Sequence, residues 1–282
     1  MPELPEVETV VRGLRKTVVG LTISKVRTNA PAASIVVGES FKGRSFSSIL
    51  NGKTIQDVTR RGKNILINLS DNITLWSHLK MTGRFLYVSQ KSPVQKHDLA
   101  IFDFNDGSIK SGNQLRFNDT RRFGRLRLYR SCEVNNQKGL KELGPEPLEI
   151  SSAEFIKLFS STSRMVKPAL LDQSFIAGIG NIYADESLFL SKIHPQKLTN
   201  KISRKKLLQL HRHFKRILTK AINNMGTSVD SYQGVNGQPG SFQKYLKAYD
   251  REGKPCIFCA HKIVREKIGS RSAHYCPRCQ RL

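Results

Sequence analysis

The stretch CIFCAHKIVREKIGSRSAHYCPRC, residues 256–279, carries two pairs of cysteines with two residues inside each pair and sixteen residues between the pairs. Cysteine pairs at this spacing are typical of tetrahedral zinc sites, and the residues between them predict a β-hairpin. Four thiolates leave no open coordination position, so we expect one structural Zn²⁺ that stabilises a segment too short to build its own core. The predicted ligands are Cys256, Cys259, Cys276 and Cys279.

The overall charge of the chain is strongly positive. Its 282 residues are enough for about two domains, and 38% of them are hydrophobic, which favours a globular protein. Lysine and arginine number 47 against 22 acidic residues, which gives a net charge of +25. A field of this sign attracts polyanions, so it favours a nucleic-acid partner over acidic metabolites. The charge alone leaves a ribosomal or other RNA-binding protein open.

The sequence contains no apolar run of about 18 residues, so we expect no membrane span. The first ten residues, MPELPEVETV, lack the basic and apolar regions of a signal peptide. The remaining cysteine, Cys132, stands alone, and the paired spacing of the others favours metal binding over a secreted disulfide framework. These features together predict a protein of the reducing cytoplasm.

The N-terminal half predicts one helix followed by β-structure. Residues 5–18 place apolar side chains at helical spacing, with Pro5 in the first turn. From about residue 20 to 130 short alternating runs are separated by turn signals such as Asn51-Gly52, which is typical of a sandwich or a barrel. The predicted strands are 22–28, 54–60, 63–69, 73–79, 84–88, 99–104, 114–117 and 125–129.

The C-terminal half predicts helices after a break at GPEPL, residues 144–148. Residues 201–220 hold eight basic residues and no acidic one, which favours a phosphate-facing or steering role over a merely solvated face. Residues 226–250 have no strong periodicity and predict a long loop. The predicted helices are 151–159 with a serine cap, 168–174 opened by Pro168, 181–191, and 203–226. The predicted segments are 1–131, a linker at 132–150, 151–226, the loop segment 227–253, and 254–282.

The N-terminus offers an unusual nucleophile. Removal of Met1 would leave Pro2 with a secondary amine, and a free α-amine has a pKa of about 7.7–8.0 against about 10.4 for lysine. Such an amine is partly neutral at pH 7 and can form an iminium with a sugar aldehyde carbon. Glu3 and Glu6 could move protons beside it. The structural alternative is that prolines and acidic residues simply open a helix.

Several other residues are ambiguous when taken singly. Lys63 follows Arg60-Arg61-Gly62 and could be a general acid or only a charged strand edge. Gly178-Ile179-Gly180-Asn181 opens a predicted helix, whose N–H groups could bind phosphate. The remaining candidates would by default be core or surface residues, and they are His78, Met81, His97, Arg121 and Phe123.

These signals occur in a familiar order. The chain resembles the formamidopyrimidine-DNA glycosylases along essentially its whole length, through MPELPEVETVVRGL, TRRGKNIL, HLKMTG, NDTRRFG, LGPEPL, VKPALLDQ, GIGNIYADESLF, IHP and the cysteine motif. The endonuclease VIII branch, which prefers oxidised pyrimidines, typically has glycine where Leu4 stands and lacks the RRF segment at 121–123. The sequence therefore resembles the purine branch.

The resemblance implies an α+β multidomain fold. An N-terminal β-sandwich with a leading helix would precede a helix–two-turns–helix domain that ends in a four-cysteine zinc finger, with DNA in the basic cleft between the halves. The implied activity is base-excision repair by a bifunctional glycosylase and AP lyase. It would remove 8-oxoguanine and formamidopyrimidines from double-stranded DNA through a Schiff base and β,δ-elimination. We expect a monomer at the nucleoid.

The resemblance also assigns roles to residues. Pro2 would be the nucleophile, Glu3 the proton shuttle, Lys63 an aid to proton transfer at the sugar, and Arg271 a phosphate ligand in the second elimination. The implied DNA contacts are His78, Met81, His97, Arg121, Phe123, Arg164, Lys167 and Asn181. Three of them, Met81, Arg121 and Phe123, would fill the gap left by a flipped base. The 226–250 loop would fold over the flipped lesion.

The chain departs from the family pattern at Thr120, where a proline is common. Arg164 alone represents a basic cluster before Lys167. A rival hypothesis is a zinc-dependent DNA-binding or scaffold protein without chemistry. Covalent trapping on damaged DNA by borohydride separates the two, since only the enzyme forms a reducible iminium.

Overall fold

The computed structural model describes residues 1–31, 34–105, 113–228 and 233–282. They form two compact units. The N-terminal unit contains Met1–Lys141 and Met225–Ser241, and the C-terminal unit contains Glu142–Asn224 and Phe242–Leu282. The five-segment division expected from the sequence stays a prediction.

Strands and one long helix dominate the N-terminal unit. Its helices are α1 (Leu4–Val18), α2 (Phe46–Leu50) and α3 (Ser131–Val134). Its strands are β1 (Thr22–Thr28), β2 (Ile35–Val37), β3 (Ile55–Arg61), β4 (Asn64–Leu69), β5 (Ile73–His78), β6 (Arg84–Ser89), β7 (Asp98–Asn105), β8 (Asn113–Asn118) and β9 (Arg125–Arg130).

These strands form two sheets. One has four strands in the order β1-β7-β8-β6, and the other has five in the order β2-β9-β5-β4-β3. All neighbours pair antiparallel except β2, which runs parallel to β9. One apolar core contains residues of both sheets and the buried stripe of α1. The predicted sandwich with a leading helix is confirmed.

The eight predicted strands appear within a few residues of their expected bounds. Three short elements were not predicted, namely β2, α2 and α3. The turn α2 owes its start to Ser45, whose side chain accepts a hydrogen bond from the Ser48 N–H at 3.1 Å. Segments of three to five residues are too short to show a hydrophobic period.

Helices and one hairpin build the C-terminal unit. The helices are α4 (Ser152–Ser160), α5 (Val166–Leu171), α6 (Asn181–Ser191) and α7 (Arg204–Asn223). The hairpin strands are β10 (Val264–Ile268) and β11 (Arg271–Tyr275). Helical side chains, with Tyr183 and Phe214 among the fully buried ones, form the core of this unit.

Two helices differ from their predicted bounds. α5 begins two residues before Pro168 and ends at Leu171, because the Asp172 carboxylate accepts the Ser174 N–H at 3.0 Å and turns the chain. α7 ends at Asn223 rather than at Gly226. Gly226 and the residue before it have positive φ angles of 77° and 57°, which a helix does not allow. Among the described residues, no helix combines the length and apolarity needed to cross a bilayer.

Candidate active site and zinc centre

The first residues of the chain are hydrogen-bonded within the N-terminal unit. Pro2 is buried, and Met1 before it is 43% exposed. Glu3 precedes α1, and its backbone N–H donates to Glu6 Oε2 at 2.9 Å. The other oxygen of Glu6 accepts the Thr227 N–H at 2.7 Å. The carboxylate of Glu6 therefore joins the start of α1 to the first residues of the Met225–Ser241 segment.

Two glycines set how closely that segment approaches. A Cβ on Gly226 would lie 2.7 Å from Glu6 Oε1, and a Cβ on Gly240 would lie 2.2 Å from the Gly226 carbonyl oxygen. The Gly240 N–H donates to Ser228 Oγ at 2.8 Å. The two ends of the segment thus cross in direct backbone contact, which only glycine allows. Residues 229–232 of the predicted loop lie outside the described residues.

The rest of the segment packs on α1 and β6. Val235 is buried against α1, where a Cβ on Gly13 would lie 3.0 Å from its side chain. Its carbonyl oxygen accepts the Tyr87 N–H at 3.0 Å, and Gln233 accepts from Arg84 Nη1 at 3.1 Å. The described part of this predicted lesion-covering loop up to Ser241 is therefore anchored to the same unit as Pro2, whereas the part from Phe242 onward belongs to the C-terminal unit.

Lys63 and His78 lie at one end of the five-stranded sheet. Lys63 is 6% exposed and stands between β3 and β4, and Asn64 after it pairs with His78. Burial lowers the pKa of His78 to about 3, assisted by the charges of Lys80, Lys63 and Arg127. His78 Nδ1 accepts the Lys80 N–H at 3.0 Å. The ring is therefore neutral at pH 7, with its proton on Nε2, and can donate one hydrogen bond without carrying charge.

Met81, Arg121 and Phe123 come together on one exposed surface. Arg121 Nη1 donates to Met81 Sδ at 3.0 Å, and the Arg121 guanidinium lies 4.8 Å from the centre of the Phe123 ring. Met81 and Phe123 are 44% and 48% exposed. Exposed apolar side chains that adjoin one another, unlike singly scattered ones, are typical of recognition surfaces.

Asp119 organises the loop that carries this trio. It is fully buried, and its carboxylate accepts the Gly124 N–H at 2.6 Å, the Arg121 N–H at 3.2 Å and the Thr82 hydroxyl. Thr120, the departure from the family pattern, stands inside the turn that Asp119 closes. Nothing in its sequence position marks Asp119 as the organiser.

His97 is half-buried, and its carbonyl oxygen accepts the Asp119 N–H at 3.0 Å. Among the described residues its Nδ1 has no hydrogen-bond partner. The backbone of His97 thus supports the loop of Asp119. The Nδ1 atom of its ring can still form a hydrogen bond with a ligand.

The four predicted zinc ligands converge. Their sulfur atoms lie within 4.8 Å of one another, with separations of 3.9 Å for Cys256–Cys279, 3.6 Å for Cys259–Cys276 and 3.4 Å for Cys259–Cys279. A tetrahedral Zn²⁺ with bonds of about 2.3 Å requires sulfur separations of about 3.8 Å. The donor set fits one structural zinc ion, and the predicted hairpin between the cysteine pairs is confirmed as β10–β11.

A buried ion pair holds this hairpin to the helices of its unit. The Lys167 ammonium donates to Asp185 Oδ1 and to the Ser272 carbonyl oxygen, both at 2.5 Å. Asp185 Oδ2 accepts the His274 N–H at 2.9 Å and lies 3.1 Å from its ring nitrogen. Arg271, next to Ser272, is exposed at the start of β11. The pair therefore positions the strand that presents Arg271.

Three predicted phosphate contacts occupy different environments. Lys167 is fully buried in the ion pair just described, so its ammonium does not face solvent. Arg164 is exposed, but its guanidinium pairs with Asp172 at 2.9 Å. Asn181 begins α6 directly after Gly180, and among the described residues its Oδ1 is buried without a partner. Of the three, Asn181 has the most favourable placement for binding an anion at a helix start.

Models of three protein-domain families match the chain. Residues 1–126 match the formamidopyrimidine-DNA glycosylase N-terminal domain, 143–233 match the H2TH domain of the same enzymes, and 253–282 match a zinc finger found in FPG and IleRS. The matched ranges contain the sandwich, the helices α4–α7 and the cysteine hairpin.

Curated relatives match over the full length. A formamidopyrimidine-DNA glycosylase of Pelotomaculum thermopropionicum is 43% identical and covers 100% of both chains. One of Latilactobacillus sakei is 40% identical over 99% of this chain and 98% of its own. Among solved structures, Lactococcus lactis Fpg with abasic-site DNA has a TM-score of 0.88 at 35% identity, covering 99% of this chain and 100% of that one. A variant of that protein with Fapy-dG DNA has a TM-score of 0.89.

The sandwich with its leading helix, the helical unit and the four-cysteine zinc site together define a DNA glycosylase with a zinc finger. The chain belongs to the formamidopyrimidine-DNA glycosylase family. The α+β multidomain fold, the enzyme class and the structural zinc expected from the sequence are confirmed.

Proposed function

We propose that the chain is a bifunctional glycosylase and AP lyase that excises oxidised purines from double-stranded DNA. The placement of Pro2 carries the proposal. Pro2 is joined to α1 by the single residue Glu3, and the buried Glu6 in the first turn of the helix accepts a hydrogen bond from the Glu3 N–H. Loss of Met1 makes the Pro2 nitrogen a secondary amine that is partly neutral at pH 7.

In the first step the Pro2 nitrogen forms a bond to C1′ of the damaged nucleotide, and the bond from C1′ to the base breaks. The base leaves with the electron pair, and it takes up the proton that the Pro2 nitrogen loses when it bonds to C1′. Glu3 then protonates the sugar ring oxygen, so that the C1′–O4′ bond opens and the proline iminium forms. The buried Glu6, fixed by hydrogen bonds to the backbone N–H groups of Glu3 and Thr227, keeps the start of α1 in place during this transfer.

The elimination steps follow from the iminium. It acidifies the C2′ hydrogen, and loss of that proton expels the 3′ phosphate. A second proton loss, at C4′, expels the 5′ phosphate, and water then hydrolyses the imine and restores Pro2. Lys63 assists proton transfer at the sugar and binds the neighbouring phosphate, and Arg271 neutralises the phosphate that leaves in the second elimination. Neutral His78 donates a hydrogen bond to the DNA phosphate backbone at the position that Lys63 contacts.

The exposed trio supports base flipping. A base in the duplex hides C1′, so the nucleotide must leave the stack at a cost of a few kcal/mol. Met81, Arg121 and Phe123 form one surface that can fill the vacated space. The 226–250 loop covers the extruded base, and the preference for purines follows the sequence resemblance.

The remaining predicted contacts bind the DNA backbone. Asn181 binds phosphate at the start of α6, and His97 presents its ring to the DNA. Arg164 reaches phosphate once it leaves Asp172. A phosphate contact by Lys167 stays a prediction that requires its side chain to leave the ion pair. We propose that a monomer acts on the nucleoid, in a reducing cytoplasm that keeps the zinc thiolates intact.

The experiment combines intact mass, borohydride trapping and a matched pair of tags. We expect protein without Met1 to form a covalent adduct with duplex DNA containing 8-oxoguanine. A peptide tag before Pro2 should abolish the adduct and strand cleavage, whereas the same tag after Leu282 should leave both. If the N-terminally tagged protein still cuts and traps, Pro2 is not the nucleophile. Binding without trapping by untagged protein would favour the scaffold hypothesis.

A second duplex tests the substrate class. Release of 8-oxoguanine or ring-opened purine should exceed release of an oxidised pyrimidine from an otherwise identical duplex. Equal or reversed rates would contradict the preference for purines without affecting the proposed nucleophile.

A further inference from the structure

One row of polar side chains crosses the outer face of the five-stranded sheet. Asn64, His78 and Arg125 are directly opposed across β4, β5 and β9, and Trp76 and Arg127 form the next opposed pair of β5 and β9. Directly opposed residues of antiparallel strands share one face of the sheet. Arg125 and Arg127, to which the sequence assigned no role, are therefore neighbours of His78 on the sheet.

Arg127 is held in place by an aromatic ring. Its guanidinium lies 4.5 Å from the centre of the Trp76 ring. Trp76 is 4% exposed and donates to Asn64 Oδ1 at 2.9 Å, so the ring cannot turn. Among the described residues the Nε of Arg127 is buried without a hydrogen-bond partner. No described residue accepts a hydrogen bond from the terminal nitrogens of Arg127 either, so a guanidinium held against the ring can offer those donors to an anion.

Arg125 and Lys80 add charge to the same place. Arg125 donates only to the Gly124 carbonyl at 3.2 Å and the Ser34 hydroxyl at 3.5 Å, within the described residues. No carboxylate described in the structure lies within salt-bridge distance of Lys80, Arg125 or Arg127. Burial lowers the pKa of Lys80, and the charges of Arg125 and Arg127 lower it further.

Three mutually repelling cations without a carboxylate are costly in the free protein. An anion relieves that repulsion, and a guanidinium suits phosphate oxygens because its donors form a planar fork. Lys63 and His78, which the proposed function already gives to the DNA backbone, adjoin the same cluster. The ligand that fits the cluster is therefore the next phosphate along the DNA strand that Lys63 and His78 bind.

We propose that Arg125 and Arg127, with Lys80, form a phosphodiester-binding subsite on the outer face of the five-stranded sheet. It extends the phosphate path of Lys63 and His78, and it rests on the proposed function. The arginines position and retain the DNA backbone and take no part in the chemistry.

The test measures how DNA binding depends on salt. Each phosphate contact contributes about 0.9 to the slope of log K against log salt. The dissociation constant of a duplex with a tetrahydrofuran abasic analogue is measured over a series of KCl concentrations. We expect Arg125→Gln/Arg127→Gln to reduce the slope by about 1 to 2. Arg127→Lys, which keeps the charge, should retain most of the slope.

Arg130→Gln is the matched control on the same strand. The guanidinium of Arg130 lies 5.0 Å from the centre of the Phe41 ring and donates to the Asp71 carbonyl at 3.1 Å, away from the cluster. If the double variant changes the slope no more than Arg130→Gln does, the proposal is overturned. If the double variant unfolds, the single variant Arg125→Gln is measured in its place, and it should reduce the slope of log K against log salt by about 1. An unchanged slope in that variant would overturn the proposal.

Borohydride trapping separates this proposal from the proposed function. The double variant should still form the covalent adduct once DNA is saturating, because the arginines do not touch the reacting atoms. Absence of trapping in the unsubstituted protein would contradict the proposed function, whereas an unchanged salt slope would contradict only the subsite.

Discussion

Replacing Lys167 by methionine should destabilise the C-terminal unit severely. Lys167 and Asp185 are 0% and 1% exposed in their side chains, and the ammonium also satisfies the Ser272 carbonyl. Without it, the Asp185 carboxylate keeps, among the described residues, only the donors of His274, and the Ser272 carbonyl loses a partner. Removing one member of a buried ion pair costs about 3–5 kcal/mol, because the remaining charge stays buried.

A surface pair gives the comparison. Arg164 and Asp172 are 43% and 33% exposed in their side chains, so Arg164→Gln should cost about 0–1 kcal/mol. The double variant Lys167→Met/Asp185→Asn should cost less than the sum of its single changes, since it removes both charges and keeps an acceptor for His274.

Urea denaturation followed by far-ultraviolet circular dichroism measures these differences. The chain has one tryptophan, Trp76 in the N-terminal unit, so its fluorescence reports that unit while ellipticity follows mainly the helices of the other. We expect the ellipticity midpoint of Lys167→Met to fall far more than the fluorescence midpoint. A loss no larger than that of Arg164→Gln would refute the reasoning.

Three further outcomes are expected. Burial lowers the pKa of His78 to about 3 in the folded protein against an ordinary value of 6.5, so the unfolded chain binds the extra proton first. This histidine should contribute about 2 kcal/mol to the unfolding free energy that is lost when the pH falls from 7 to 5, and urea denaturation should show that His78→Gln removes this contribution. Atomic absorption should find one zinc ion per chain, and Cys279→Ser should reduce the bound zinc and expose the hairpin to proteolysis. Gly240→Ala should weaken the packing of its segment, because the new Cβ would meet the Gly226 carbonyl, whereas Gly234→Ala has room and should unfold at the wild-type temperature.

The zinc site was predictable because its information is local. Four ligands stand within 24 residues, and their spacing alone specifies the coordination number and the hairpin. The sandwich was predictable for a similar reason, since many short strand-forming runs separated by turn residues follow one another between about residues 20 and 130. The short strand β2 escaped prediction because three residues are too few to show a hydrophobic period.

The supporting carboxylates could not be found from sequence. Glu6 is an ordinary acidic residue of a first helical turn, yet it binds the Thr227 backbone 221 residues later. Asp185 lies in the middle of α6, where a polar residue normally indicates solvent, yet it is buried against Lys167 and His274. Such partners depend on tertiary contacts that local propensity does not encode.

The division of the chain into units also limits how this architecture can be taken apart or recombined. The N-terminal unit is discontinuous, since Met225–Ser241 returns to it after the helices of the other unit. A fragment that stops at Lys141 would lack Val235 from its apolar core and Thr227 from the Glu6 carboxylate. The chain passes from one unit to the other three times, after Lys141, Asn224 and Ser241. Neither unit can therefore be exchanged as one continuous segment, and an insertion or fusion is tolerated only where these three connections stay intact.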